Sequence, residues 1–154
     1  MMIIGIDPDC KKSGFAVYED KVSVKNLDFF EIYDFFVKNK ENIEMVVIEA
    51  AWLIKKSNWH SNPKQSKFVG EIIAKKVGAN HETGRKIEEM CKYLGIKYTL
   101  QMPLGTKNIN SDVFKSLTGI STSNQDVRDA YMIVYHYLNN GELPISYRLI
   151  GFVG

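Results

Sequence analysis

The order of short apolar runs along the chain is the feature that most constrains its fold. Three of these runs, at residues 3–6, 14–18 and 22–24, follow one another with only a few residues between them. Because parallel neighbours need a crossover of a dozen or more residues, this spacing predicts three antiparallel strands in a meander. Apolar residues then repeat at helical spacing, which predicts an amphipathic helix at residues 28–39.

The second half of the chain alternates between strand and helix patterns. Residues 45–48 are continuously apolar, which is typical of a strand buried on both faces, and a polar, lysine-rich segment follows from Ala50 to about Val69. Four further elements are predicted: a helix at 84–94 that Gly95 ends, a strand at 97–100, a short helix at 111–117 capped by Ser111, and a last helix from near Ser123 to Leu138.

These elements predict an α/β fold in the order β-β-β-α-β-α-β-α, with the short helix before the last one. The expected architecture is a mixed five-stranded sheet with helices packed on it. A length of 154 residues suits a single domain over 1–154. This order is also the order of elements in the RNase H-like fold.

The composition is that of an ordinary globular protein and does not predict a membrane-spanning helix. Apolar residues make up 45% of the chain and charged residues 25%, as in soluble globular proteins, and no apolar run is long enough for a bilayer span. A soluble protein that is cytoplasmic or associated with the nucleoid, with no membrane contact, is expected. The two cysteines, Cys10 and Cys91, are far apart and are expected to be free thiols. A net charge of only +2 does not by itself indicate a nucleic-acid binder.

Four acidic residues stand where elements begin or end. Asp7 follows the first strand and Glu49 follows the fourth, and both strands are apolar enough to be central neighbours. Asp126 and Asp129 are three residues apart on the last helix, which puts their Cβ atoms on one face at roughly 5–6 Å. Ile133 continues that face, so the two acids are expected to point inward.

Each acid also has a purely structural interpretation. Asp7 could cap a turn before Pro8, Glu49 could be an exposed strand end, and Asp126 could pair with Ser123 in a capping box. Taken together, the acids favour a metal site, because two carboxylates 4 Å apart repel by about 4 kcal/mol at an effective dielectric of 20. Oxygen ligands with no histidine or cysteine nearby suit Mg²⁺ or Mn²⁺.

Five short motifs resemble those of the RuvC-type Holliday junction resolvases of the RNase H-like superfamily, in the compact form carried by phages and mobile elements. They are IGIDP at 4–8 with SGFAV at 13–17, VIEAAW at 47–52, PLGTK at 103–107 and DVRDA at 126–130. The resemblance spans residues 3 to about 138 with the motifs in the family's order. It implies a Mg²⁺-dependent endonuclease that resolves four-way DNA junctions by two-metal phosphodiester hydrolysis.

The resemblance also assigns roles to individual residues. Asp7, Glu49, Asp126 and Asp129 would be the metal ligands, with Mn²⁺ as a possible substitute for Mg²⁺. Lys107 would be the cation near the scissile phosphate, and Lys115 is a second candidate.

A homodimer is expected because a four-way junction has two-fold symmetry and needs two matched cuts. In the family, the helix that corresponds to residues 84–94 mediates pairing.

A basic, aromatic segment follows the second acidic motif. Residues 50–70 contain no acid, and lysine and aromatic side chains there attract phosphate and stack on unpaired bases. The candidate DNA-binding residues are Trp52, Lys55, Lys56, Trp59, Lys64 and Lys67, together with Lys115. By resemblance, Trp52 stands where the family has an aromatic that inserts at the junction centre, and Trp59 is the alternative. A solvated loop with one tryptophan folded into the core is the other interpretation.

Three other interpretations compete with the resolvase interpretation, and the sequence features argue against the last two. A YqgF-like nuclease acting on RNA, or an RNase H-type enzyme acting on RNA–DNA hybrids, would share the strand-end acids. An actin-like ATPase half would need a second domain and a further phosphate loop. A non-catalytic binder of DNA junctions would not require all four acids.

Overall fold

The computed structural model of the chain describes residues 1–54, 66–103 and 109–139. The five strands found there form one sheet with the order β3-β2-β1-β4-β5. The strands are β1 (Met2–Asp7), β2 (Ser13–Tyr18), β3 (Val22–Leu27), β4 (Ile43–Glu49) and β5 (Tyr98–Gln101). The α-helices are α1 (Phe29–Asn39), α2 (Lys67–Leu94), α3 (Ser111–Thr118) and α4 (Gln125–Leu138).

The sheet is mixed, as predicted. Strands β1, β2 and β3 pair antiparallel in sequence order, and β4 lies parallel to both β1 and β5. The expected meander is therefore confirmed, and so is the expectation that the first and fourth strands are neighbours. Their register pairs Ile6 with Ile48, one residue before the acid that ends each strand.

The two central strands are buried on both faces, which explains their continuous apolar sequences. On one face, Ile4, Ile6 and Ile48 belong to a core that α1 and α2 cover. On the other face, Ile3 and Val47 belong to a core that α3 and α4 cover. The alternation of side chains along each strand thus assigns odd-numbered residues of β1 and β4 to the α4 face.

Helix α4 lies directly on the sheet because two glycines leave room for its backbone. A Cβ at Gly5 would stand 2.6 Å from the carbonyl oxygen of Ala130, and a Cβ at Gly14 would overlap the backbone carbonyl of Asp126. Only a residue without a side chain permits this approach at either position. The glycines of the first two motifs therefore set the position of α4.

The start of α2 was predicted wrongly. The helix begins at Lys67 rather than near Gly84, and the side chain of Ser66 caps it by accepting from the amide of Val69 at 3.2 Å. Its first half projects apolar side chains such as Phe68 into solvent and buries no continuous stripe. Because no face of this half is buried, its apolar residues form no helical stripe that the sequence analysis could recognise. The predicted lysine-rich segment therefore overlaps the start of this helix.

The predicted caps of the last two helices were each wrong by one residue, one too late at α3 and one too early at α4. Asn110 caps α3 by accepting from the amide of Val113 at 2.9 Å, in place of Ser111. Asn124 caps α4 by accepting from the amide of Asp126 at 2.9 Å, so the capping box with Ser123 is not the arrangement found. Asparagine and serine are comparably good N-caps, which is why adjacent residues compete.

Both cysteines are free, as predicted. Cys10 is exposed, whereas burial raises the pKa of the Cys91 thiol to about 12. The Cys91 thiolate is therefore scarce at neutral pH, and this side chain is a core residue. None of the described helices is long and apolar enough to cross a membrane.

The Gly14→Ala variant tests the contact between α4 and the sheet. The added methyl group must push the first turn of α4 outward, and overpacking of this kind costs about 1–3 kcal/mol of unfolding free energy. Chemical denaturation should measure the loss. Gly78→Ala is the matched control, because a Cβ there meets nothing within 4 Å and the change within a helix should stabilise by about 1 kcal/mol. Equal stability of the two variants would contradict the packing described.

Candidate active site

Two carboxylates meet at the end of the two central strands. Asp7 is the last residue of β1 and Glu49 is the last residue of the parallel strand β4, so both lie at the same edge of the sheet. Both line one cavity of about 230 Å³. Glu49 is only 4% exposed, and a charged group at such a site requires compensation by a partner or a cation.

The first turn of α4 lies over these strand ends. The backbone of Asp126 contacts Gly14, which is the direct partner of Asp7 in the β1–β2 ladder. Strand alternation assigns Asp7 to the same face of β1 as Gly5, where Ala130 of α4 makes its contact. The helix therefore passes over the residues next to Asp7.

Asp129 faces inward, as the sequence predicted for the acidic face of this helix. Its side chain is 8% exposed, and its Oδ1 accepts a hydrogen bond from Nε2 of Gln125 at 2.7 Å. Ile133, one turn further along, is 1% exposed and packs in the core on this face of the sheet. The helix thus carries a buried carboxylate one turn from an apolar core.

The described residues do not present a complete set of metal ligands. In residues 1–54, 66–103 and 109–139, no group of three or more histidine, cysteine, aspartate or glutamate side chains could hold a metal ion. The cavity brings Asp7 and Glu49 together, and Asp126 and Asp129 are not among its lining residues. The two strand-end carboxylates are hard oxygen donors that fit Mg²⁺ or Mn²⁺. A site with all four acids as ligands stays a prediction.

Helix α2 forms the opposite wall of the cavity, which the sequence analysis missed. Val77, Asn80 and His81 line it, within a part of the helix to which the sequence analysis assigned no element. Asn80 and His81 are one helical turn from the buried Gly84 and Val77 is two turns from it, so a longer predicted helix would have placed all three on the inner face.

The position of His81 corrects one premise of the metal prediction. The sequence analysis assumed that no histidine lies near the acids, and His81 lines the same cavity as Asp7 and Glu49. Because imidazole is a good ligand for zinc and other transition metals, the absence of histidine no longer argues against them. The choice of Mg²⁺ stays a prediction.

Hydrogen bonds to the side chain of Asn80 link the turn that follows Asp7 to helix α2. The amide of Cys10 donates to Oδ1 of Asn80 at 2.8 Å, and Nδ2 of Asn80 donates to Oδ2 of Asp9 at 3.5 Å. Within the turn, the amide of Lys11 donates to Oδ1 of Asp9 at 2.8 Å. Asp7 therefore lies next to a turn that is held in place by its own hydrogen bond and by those to α2.

Trp52 is part of the cavity wall. It lies in a short 3-10 segment that begins two residues after Glu49, and it is partly buried. A Cβ at Gly84 would overlap its ring, and the guanidinium of Arg85 lies 5.8 Å from the ring centroid, within range of a cation–π contact. Gly84 thus permits a close contact within one chain.

The other predicted DNA-binding residues are spread more widely. Lys67 is exposed at the start of α2, and Lys115 is exposed on α3 beside a shallow pocket that Ser111 and Thr122 also line. Five predicted residues lie outside the described ranges: Lys55, Lys56, Trp59, Lys64 and Lys107.

The apolar face of the predicted pairing helix at 84–94 packs against the core of its own chain. Gly84, Ile87, Met90 and Cys91 are buried, and the last three belong to the core beneath α2. The exposed aliphatic and phenylalanine side chains of α2 cluster in its first half, at Phe68, Val69, Ile72 and Ile73, and Tyr93 is exposed by itself near the end of the helix.

Asn80→Ala should release the turn after Asp7. The amide of Cys10 loses its acceptor, so its hydrogen exchange should accelerate, and the unfolding free energy should fall by about 1 kcal/mol. Exchange measured by NMR provides a control within the same turn, because the amide of Lys11 bonds to Asp9 and should change less. Unaltered exchange at Cys10 would show that Asn80 does not hold this turn.

Comparisons with known proteins support the fold. No model of a known protein family matches the sequence, and no curated protein matches it either. Thermus thermophilus RuvC in complex with a Holliday junction substrate superposes with a TM-score of 0.55 at 14% identity, over 92% of this chain and 95% of RuvC. The fowlpox virus Holliday junction resolvase gives a TM-score of 0.48 at 16% identity, over 91% of this chain and 99% of the viral protein.

The similarity to RuvC extends over nearly the full length of both chains, and the mixed sheet has the element order that the sequence predicted. At 14% identity, such a likeness concerns the fold and does not by itself carry an activity. The chain has an RNase H-like fold in the arrangement seen in RuvC.

Proposed function

We propose that the chain is a divalent-metal-dependent endonuclease that resolves four-way DNA junctions. The observation that carries the proposal is the pair Asp7 and Glu49, which end adjacent parallel strands and line one cavity. The RuvC-like fold supports it, because the similar Thermus thermophilus protein is in complex with a Holliday junction substrate.

Asp7 and Glu49 would hold the metal, with Asp126 and Asp129 completing the ligand set from α4. The packing of α4 over Gly14 supports this, since it brings the backbone of Asp126 next to the partner of Asp7. Bound metal ions would activate a water molecule and stabilise the leaving oxygen of the phosphodiester. The acids themselves would keep the strand ends anionic and so attract the cation.

The cationic and aromatic residues would bind the DNA. Lys107 would stabilise charge near the scissile phosphate, and Lys67 and Lys115 would contact the backbone. Trp52 would border the reacting strand, because its ring stands in the wall of the cavity that Asp7 and Glu49 line. The lysines at 55, 56 and 64 and Trp59 complete the proposed binding segment.

The protein would act as a homodimer, because a junction needs two matched cuts. The exposed apolar side chains in the first half of α2 favour this region as the contact between two copies. The second half of α2 is less suitable, since its apolar face already packs on the sheet of its own chain.

Asp7→Asn should abolish cleavage of a labelled four-way junction in Mg²⁺ or Mn²⁺ while binding to the junction survives. The acid serves metal chemistry, whereas binding depends on the lysines. A gel assay with the junction, a linear duplex and an RNA–DNA hybrid, each with and without metal, measures both properties.

Asp34→Asn is the matched control for this variant, because Asp34 is an exposed acid on α1. It should cut like the unaltered protein. Full activity of Asp7→Asn would refute the metal role of the acid. Stronger cutting of RNA or of the hybrid than of the junction would instead favour an RNA-directed or hybrid-directed nuclease on the same fold.

Ile72→Glu should convert the dimer to a monomer, because a buried charge at an apolar contact is costly. Light scattering during size-exclusion chromatography measures the mass. Val37→Glu is the control, since Val37 is 50% exposed on α1 and Ile72 is 51% exposed on α2. A monomeric unaltered protein, or a dimer that survives Ile72→Glu, would contradict the proposed contact.

A further inference from the structure

Arg128 is a buried cation inside the last acidic motif, between Asp126 and Asp129. It is 7% exposed, although arginine is almost never buried without specific partners. Its Nε donates to the carbonyl of Ile109 at 2.9 Å, and its Nη1 donates to the carbonyl of Thr122 at 3.1 Å. One side chain therefore ties α4 to the segments that precede α3 and α4.

The third donor group of Arg128 connects it, through Gln125, to Asp129 of the candidate site. Nη2 of Arg128 donates to Oε1 of Gln125 at 2.6 Å, and Nε2 of Gln125 donates to Oδ1 of Asp129 at 2.7 Å. The three residues lie within one turn of α4, and the two bonds form a continuous path from the guanidinium to the carboxylate.

The direction of this path is fixed by the chemistry of its members. A guanidinium can only donate, so the oxygen of the Gln125 amide must face Arg128. The NH₂ group of the same amide must then face Asp129, where only an acceptor suits it. The bond to Oδ1 thus restrains the orientation of the Asp129 carboxylate.

We infer that Arg128 and Gln125 are positioning residues that set the orientation of the Asp129 carboxylate for cation binding. We call the two hydrogen bonds from Arg128 to Gln125 and from Gln125 to Asp129 the relay. The inference rests on the proposed function, because it gives the relay a purpose at the metal site. Groups that orient a metal ligand by hydrogen bonding commonly change metal affinity by 10- to 100-fold when they are altered.

Gln125→Met tests the relay because methionine keeps the length of the side chain and removes both hydrogen bonds. Titration calorimetry with Mn²⁺ should show about tenfold weaker binding than in the unaltered protein. The same substitution combined with Asp129→Asn should weaken binding no further than Asp129→Asn alone, since Gln125 acts through Asp129. Arg128→Lys should reproduce the defect, because lysine cannot make the three bonds together.

Asn139→Ala is the control, because it removes an amide that caps the opposite end of α4. It should leave the Mn²⁺ affinity unchanged. Equal affinities of Gln125→Met and the unaltered protein would overturn the inference. An equal loss in the Asp129→Asn background would also overturn it, because Gln125 would then act independently of Asp129.

A second measurement separates failure of the relay from failure of the proposed function. If the unaltered protein takes up no Mn²⁺, the metal-dependent function fails. The relay is then decided by the ¹³Cγ resonance of Asp129, recorded by NMR without metal. Gln125→Met should shift this resonance and Asn139→Ala should not. An unmoved resonance in Gln125→Met would overturn the relay.

Discussion

The contact between α4 and two glycines of the sheet is the constraint on which the rest of the structure depends. Gly5 and Gly14 let the helix backbone approach β1 and β2 so closely that a methyl group at either position would collide with it. This approach brings the first turn of α4 over the end of the sheet, where Asp7 and Glu49 lie. A larger residue at either glycine would move the acids of α4 away from those of the strands.

The electrostatic repulsion between the carboxylates must be offset by stabilising interactions elsewhere in the fold. Two carboxylates 4 Å apart repel by about 4 kcal/mol at an effective dielectric of 20, which is comparable to a large part of a small domain's stability. The apolar cores on both faces of the sheet supply that stability, and the central strands are buried on both sides. Under the proposed function, a cation bound at the strand ends would offset this repulsion.

Helix α2 gives the site a second wall and gives the proposed dimer a surface. Its second half packs on the sheet through Ile87, Met90 and Cys91, while its middle carries Asn80 and His81 to the cavity. Its first half extends past the core with Phe68 and Ile72 in solvent. One long helix therefore connects the core, the cavity and an exposed apolar surface.

Sequence patterns predicted the sheet well, because burial on both faces leaves a continuous apolar run and a meander leaves short connections. The strand containing residues 45–48 and its acid Glu49 are the clearest examples. The same reasoning failed for the first half of α2, where no face is buried and so no stripe forms. The position of His81 in the cavity wall was missed for that reason, because it lies in a part of α2 that the local pattern did not predict.

The buried arginine was invisible to pattern analysis for a different reason. A charge between two acids in DVRDA is typical of a solvated helix face, and only tertiary packing shows that Arg128 turns inward to bond two loop carbonyls. Hydrogen-bond networks of this kind depend on residues distant in sequence. The positions of Asp7 and Glu49 were predictable because each one ends a strand.

The most direct test of the central claim is anomalous diffraction from crystals of the protein grown with Mn²⁺. The account predicts anomalous density at the carboxylates of Asp7 and Glu49, with Asp126 or Asp129 of α4 completing the coordination. Mn²⁺ bound elsewhere, with the strand-end acids uncoordinated at saturating metal, would contradict it.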